Sequence, residues 1–292
     1  MFATLDQIPA AGHADHAIIG CGPIARATTE VNTTEGDPAV SLTHLVLIPS
    51  FDSGQLLVST VVAARRHWAP VWVVVDGSTD GSADMVEAMA RTDPALRVLR
   101  LPVNRGKGAA VRQGLLAAQT SGFTHALVMD ADGQHPAESI AAFMARSIAA
   151  PNALIMGRPV FGADAPWVRV ALRRLCNGFA TLETLRPVGD TLFGFRVYPV
   201  AALLSVMQAS SGMRGFDFDP EAVVRLAWQG MKLIHLPTEV RYLSRAEGGI
   251  SHFRYVRDNL LLTGMHLRLG ILALTRIPRV ARDRCRRLRR PF

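Results

Sequence analysis

Hydrophobic positions run in short continuous blocks through the first half of the chain, and amphipathic stretches separate them. HLVLIP (44–49), VWVVVD (71–76), LRVLRL (96–101), HALVMD (125–130) and NALIMG (152–157) are apolar enough to be strands buried on both faces. Between them, 55–68, 82–92, 107–120 and 138–149 carry helical periodicity. Continuous apolar strands alternating with helices predict an α/β fold, a doubly wound, mostly parallel sheet with helices on both faces. Past residue 158 the pattern loosens. Residues 166–185 and 200–209 read as helices, 191–199 as a strand or an extended loop, and 232–243 as more strand. Residues 214–230 read as a loop then a helix, with Asp219 at its cap and Pro220 at its first position. From Arg257 a long helix is expected, with Arg257, Gly264, Arg268 and Thr275 on one stripe and mostly Leu, Met, Ile and Ala elsewhere. Residues 1–42 show no sustained period and read as a poorly ordered extension. The domain division that follows is 1–42, 43–255, and 256–292 for the amphipathic helix and basic tail.

Charge changes the picture less than its total suggests. The net charge is +8, but residues 276–292 hold eight arginines and one aspartate, and residues 1–43 are net acidic. The high basicity belongs mainly to the tail and not to a face of the fold. That tail has no aromatic residue before Phe292, which argues against stacking on nucleic acid, so no nucleic-acid partner is expected. Three cysteines, Cys21, Cys176 and Cys285, are too few and too scattered for a disulfide framework or a zinc site. A reducing cytoplasm is expected. The first twenty residues do not read as a signal peptide, and no uninterrupted apolar run reaches 18 residues.

In a doubly wound sheet, ligands bind outside the carboxyl ends of the strands. Four such ends here are polar or glycine-rich: PSFD (49–52), DGSTD (76–80), PVNRGKG (102–108) and DAD (130–132). Asp130 and Asp132 share one side of an extended backbone, where two like charges repel unless a cation lies between them. A divalent metal suits such a pair, and so does a turn of solvated acids. NRGKG precedes a helix and could receive an anion, although it lacks Walker A spacing, and an ordinary basic helix cap is the other reading.

Taken in order, VLIPSFDSG, VVDGSTDGS, NRGKGAAVRQGL and VMDADGQHP resemble family 2 glycosyltransferases of the GT-A type. The later DTLFGFRVYP, FDFDPE and GGISHF resemble the polyprenyl-phosphate, dolichyl-phosphate mannosyltransferase-like and lipid-directed bacterial branch. The resemblance spans about residues 44–258. It implies that Pro49, Phe51, Asp52, Asp76, Ser78, Asp80, Arg105, Gly106, Lys107, Asp130 and Ala131 contact a nucleoside-diphosphate sugar. It implies Mg²⁺ or Mn²⁺ on Asp130 and Asp132, with His135 at the metal or the donor. Asp217 is the candidate base, or orients the sugar, and Asp132 is the second catalytic candidate. Asp190, Arg196, Arg245 and Ser251 are candidates for the acceptor or its phosphate, with a buried salt bridge as the other reading of Asp190 and Arg196.

The implied activity is an inverting, metal-dependent transfer of a sugar to a lipid or lipid-phosphate acceptor, by a protein peripheral on the inner face of the cytoplasmic membrane. An apolar helix face followed by arginines suits an anionic leaflet. Two departures stand out: Asp52 where relatives have Asn, and His252 where the branch has Lys. They keep open a protein that binds a sugar nucleotide without turnover. A nucleotidyltransferase on a similar sheet is disfavoured, because its glycine-rich loop is missing after the first strand.

Overall fold

The computed structural model describes residues 40–160, 167–240 and 255–288. The expected extension up to residue 39, and the RAEGGISHF segment with Arg245 and Ser251, lie outside the described residues.

Among the described residues seven strands form one sheet in the order β3-β2-β1-β4-β6-β5-β7. The strands are β1 (His44–Ser50), β2 (Val71–Asp76), β3 (Leu96–Leu101), β4 (His125–Val128), β5 (Ala153–Val160), β6 (Arg196–Pro199) and β7 (Lys232–Glu239). The helices are α1 (Gly54–His67), α2 (Ser82–Ala90), α3 (Lys107–Thr120), α4 (Ile140–Ala149), α5 (Trp167–Thr184), α6 (Val200–Gln208), α7 (Phe218–Trp228) and α8 (Tyr255–Leu288). The five apolar blocks all became strands and run parallel, as β1–β2, β2–β3 and β1–β4 show by direct pairing. β6 is the departure. It inserts antiparallel between β4 and β5, so the sheet is mixed. Its four residues follow an irregular segment through 195, so the stretch 191–199, expected as a strand or an extended loop, is a loop and then a strand.

Period-two alternation distributes the strands between two cores. Leu45, Leu47, Trp72, Val74, Ala126 and Val128 face α3, α6, α7 and α8. Val46, Ile48, Val73, Val75, Leu127 and Met129 face α1, α2 and α4. Met129 and Asp130, expected within a strand, lie just past β4, so the chain leaves the sheet as its acids begin. α7 begins two residues earlier than the Asp219 cap expectation. Asp217 holds the cap position, and Asp219 sits inside the helix.

Candidate functional site: the strand-end cavity

A cavity of about 1610 Å³ opens at the carboxyl edge of β1, β2 and β4. Pro49, Phe51, Asp76, Gly106, Lys107, Asp130, Ala131 and Asp132 all line it. Eight of the sequence candidates therefore converge, from four segments of chain.

Two close approaches make that convergence possible. Gly77 takes φ +70°, and a Cβ there would collide with the backbone of Val103 and Asn104. Gly106 takes φ +95° against the carbonyl of Arg214, and Ala109 N–H donates to that same carbonyl at 3.2 Å. The NRGKG loop is thus pressed onto the loop before α7. Asp76 secures its other side: its carboxylate accepts the amides of Arg105 (2.9 and 3.1 Å) and Gly106 (2.7 Å). Burial pushes the Asp76 carboxyl up despite those bonds.

Lys107 is the hub. Its ammonium meets Asp130 Oδ1 at 2.5 Å and Asp219 Oδ2 at 2.7 Å. Burial disfavours the ammonium, yet the two carboxylates outweigh it and raise the Lys107 pKa. Asp130 is held below its ordinary value, with burial opposed by Lys107. Asp132 is pushed up, by burial and by the charge of Asp130. Gly194 lies over this cluster, and a side chain there would meet Lys107 Nζ and Asp130.

The expected metal trio does not converge as ligands. Among the described residues no group of three or more His, Cys, Asp or Glu side chains is arranged to hold a metal. His135 Nδ1 accepts the amide of Asp130 at 2.9 Å, which in the neutral ring leaves the proton on Nε2. Burial lowers its pKa, and the ring packs edge-on against Phe193 at 4.8 Å. These contacts are those of a residue holding the loop.

Other candidates lie beside the cavity, not on its wall. Asp52, at φ +41°, accepts Thr79 N–H at 2.7 Å and donates its own amide to Ser78 Oγ at 2.9 Å. Asp80 accepts Gly54 N–H at 2.7 Å and Ser82 Oγ–H at 2.5 Å. These residues lace the first two strand-end loops together. Arg105 presents its amide to Asp76, as above. Asp217 accepts Met213 N–H and Gly215 N–H, each at 2.8 Å, and so braces the loop that meets Gly106. Asp190 accepts Arg173 at 2.6 Å and the amides of Leu192 and Phe193. Arg196 is fully buried, donating to the Asp219 carbonyl at 2.7 Å and to Tyr198 Oη at 3.0 Å.

Sequence reasoning missed two features. Asp219 was read as a helix cap and is instead the second carboxylate on Lys107; its alternation with Asp217 was the available signal. The second is the far end of the cavity. Its wall there is α5 and α8, with Leu175, Phe179, Leu182, Leu267, Ile271 and Leu274, each at least 45% exposed. On α5 the 175, 179, 182 spacing of one helix face was legible, but nothing in the sequence paired it with α8.

Residues 45–204 match the family described as glycosyl transferase family 2. The chain is 26% identical over 200 residues to polyprenol monophosphomannose synthase of Mycolicibacterium smegmatis, covering 66% of this chain and 75% of that one. It is 26% identical over 278 residues to dolichyl-phosphate beta-glucosyltransferase of Saccharomyces cerevisiae, covering 85% and 81%. Among solved structures, the glucosyl-3-phosphoglycerate synthase of Mycobacterium tuberculosis in complex with uridine diphosphate aligns with TM-score 0.50 at 18% identity, over 80% of this chain and 79% of that one. A mycobacterial protein aligns with TM-score 0.54 at 17% identity, over 80% and 74%. At those identities the structures speak for the fold alone. The family match spans more than half of the chain and contains all four strand ends that converge on the cavity: the chain belongs to glycosyl transferase family 2 and is a GT-A-fold glycosyltransferase acting on a nucleoside-diphosphate sugar.

Proposed function

We propose that this transferase moves one sugar, with inversion, to a lipid or lipid-phosphate acceptor at the cytoplasmic face of a membrane. The observation that carries the reading is the two-ended cavity. One end is lined by Asp76, Lys107, Asp130 and Asp132, and the other by the apolar faces of α5 and α8. A charged donor and a hydrocarbon acceptor need those two environments at one reacting centre. The relatives named for polyprenol and dolichyl-phosphate chemistry support the same acceptor class. Val256 and Leu260 extend the exposed apolar face of α8 beyond the cavity, which suits contact with lipid. No described helix is long and apolar enough to cross a membrane.

Mg²⁺ or Mn²⁺ fits the acid pair, because Asp132 is destabilised as an anion by burial and by Asp130. Asp130 and Asp132 would hold it, while His135 keeps the loop in place. The metal, when bound, supplies positive charge to the diphosphate and stabilises the leaving nucleoside diphosphate. Lys107 positions Asp130 and offers a second cation beside the phosphates. Pro49, Phe51 and Asp76 shape the base end of the donor site, and Gly106 lets the loop backbone approach the nucleotide. An acceptor phosphate is already ionised and needs no base. With a hydroxyl acceptor, Asp217 could serve as base only after giving up its loop amides. Arg245 and Ser251, outside the described residues, are proposed to meet the acceptor phosphate.

The test is donor turnover. Purified protein with Mn²⁺, a polyprenyl phosphate and a panel of uridine, guanosine and thymidine diphosphate sugars is assayed for release of nucleoside diphosphate. The expected result is metal-dependent release with one base, lost in Asp132→Ala. Absence of release and of any donor-induced rise in Tm would remove the donor reading. Release to water-soluble acceptors alone would remove the lipid.

A further inference from the structure

Away from the strand-end acids, three side chains form a hydrogen-bonded relay between α5 and α8. Cys176 Sγ lies 2.9 Å from His266 Nε2, and His266 Nδ1 lies 2.8 Å from Glu183 Oε1. All three are buried, at 7%, 9% and 7% exposure, and all three border the apolar end of the cavity. The second oxygen of Glu183 has no hydrogen-bond partner among the described residues. Its carboxylate therefore has one strong interaction to make, and that is with the imidazole.

The order of the three matters chemically. A carboxylate on Nδ1 leaves Nε2 facing the thiol as an acceptor. A thiol proton passed to Nε2 leaves a thiolate beside an imidazolium, and the thiolate is the nucleophile. Burial works against the charged ring, but the bonds to Cys176 and Glu183 outweigh it and raise His266 to about 9. Glu221 from α7 acts on Glu183 through space. Arg268 of α8 pairs with Glu221 and tempers it.

We propose that Cys176, with His266 and Glu183, is a reactive-thiol site for soft carbon electrophiles, alkenes conjugated to a carbonyl, that carry a hydrocarbon chain. The chain preference comes from the wall around the sulfur, where Leu175, Phe179, Leu267 and Ile271 line the same cavity. In the reaction the sulfur forms a bond to the β-carbon, and the alkene π pair moves to the carbonyl as an enolate. His266 returns the thiol proton to the α-carbon. The product is a thioether, with no leaving group and no change of oxidant. The adduct would lie between α5 and α8. The site stands on the relay and the apolar wall beside it, and does not depend on the acceptor proposed above.

Alkylation by N-ethylmaleimide and N-hexylmaleimide, mapped by peptide mass spectrometry, separates Cys176 from Cys21 and Cys285. Native Cys176 is expected to react at least about tenfold faster at neutral pH than in the same protein unfolded in denaturant. The hexyl reagent is expected to be favoured only in the native state. His266→Gln is expected to remove the acceleration, and Glu183→Gln to move the pH midpoint of labelling upward, with circular dichroism confirming the fold. A native rate at or below the unfolded rate would overturn the proposal without recourse to any variant. So would an unchanged rate in folded His266→Gln. A pH profile that ignores Glu183→Gln would remove Glu183 from the site.

Discussion

The two halves of the described chain satisfy their polar groups in different ways. From β1 to β5, strand-end carboxylates accept backbone amides of neighbouring loops: Asp76 from Arg105 and Gly106, Asp52 from Thr79, Asp80 from Gly54. From α5 to α8, buried charges pair mostly with one another, Arg173 with Asp190, Glu221 with Arg225 of its own helix and Arg268 of α8, and Glu183 with His266, alongside the loop amides that Asp190 and Asp217 accept. Amide-held carboxylates fix loops on a sheet edge and leave the space above them open to a ligand. Buried charge pairs fix helices against each other, and breaking one leaves an uncompensated charge. The acidic end of the cavity is thus built from loops and the apolar end from docked helices.

Lys107 is where the two meet, since it joins Asp130 of the first half to Asp219 of the second. Lys107→Met leaves two carboxylates facing each other across a buried space. The expected loss is about 3–5 kcal/mol of stability, measured by denaturant unfolding, together with loss of donor-induced thermal stabilisation. If stability holds to within about 0.5 kcal/mol, the size of an ordinary surface change, the seam between the halves is not where the structure is tied.

Glu221→Gln tests the helix-docked half by itself. Glu221 is fully buried, bonded to Arg225 Nε at 2.6 Å, to Ser210 at 2.6 Å and to Arg268. An amide keeps the shape but leaves two guanidinium groups short of an anion. The expected loss is about 2–3 kcal/mol, with donor binding retained because the strand-end loops are untouched. Equal losses of stability and donor affinity would show that the two ends are not separable.

This contrast also explains what could be read from the sequence. Strand-end acids are local: the apolar block, the acid and the following glycine stand together, so Asp76, Asp130 and Asp132 were found as a set. The match to a known family sharpened that set, but Asp52, Ser78 and Asp80 show its limit. Their motif marks the right loops, while their side chains bind those loops to each other. In the second half the partners are far apart in sequence: 83 residues from Glu183 to His266 and 112 from Lys107 to Asp219. β6 has the same difficulty. Four residues carry too little periodicity to reveal an antiparallel insertion between two parallel strands.

A buried histidine pair tests the first half at the opposite end of its strands. His44 and His125 stack at 4.3 Å, with His44 also bonded to Thr43 and Ser147. Burial, and then the charge of His125, lower the His44 pKa to about 4. Because the folded value lies below the unfolded one, the unfolded chain takes up the proton first. The contribution of His44 is complete above about 6.5 and is lost as pH falls toward about 4. Wild type should therefore lose on the order of 1–3 kcal/mol more than His44→Asn over that window. Parallel pH–stability curves would remove the pair from the account.

The smallest effect on stability should come from the outer faces of α5 and α8, where the helix-docked half presents apolar residues that nothing described covers. Leu182 is 69% exposed and Ile271 59% exposed. Leu182→Ser with Ile271→Ser should change unfolding free energy by no more than about 0.5 kcal/mol. Sedimentation with vesicles rich in anionic lipid should nevertheless fall several-fold, because each lost side chain removes apolar area from the lipid contact. Turnover with a short-chain, water-soluble polyprenyl phosphate separates two uses of the same face. If it survives while vesicle binding falls, the face meets the bilayer. If both fall together, these residues hold the acceptor chain inside the cavity. If neither falls, the apolar face is unrelated to lipid, and the difference between the two halves is one of folding architecture alone.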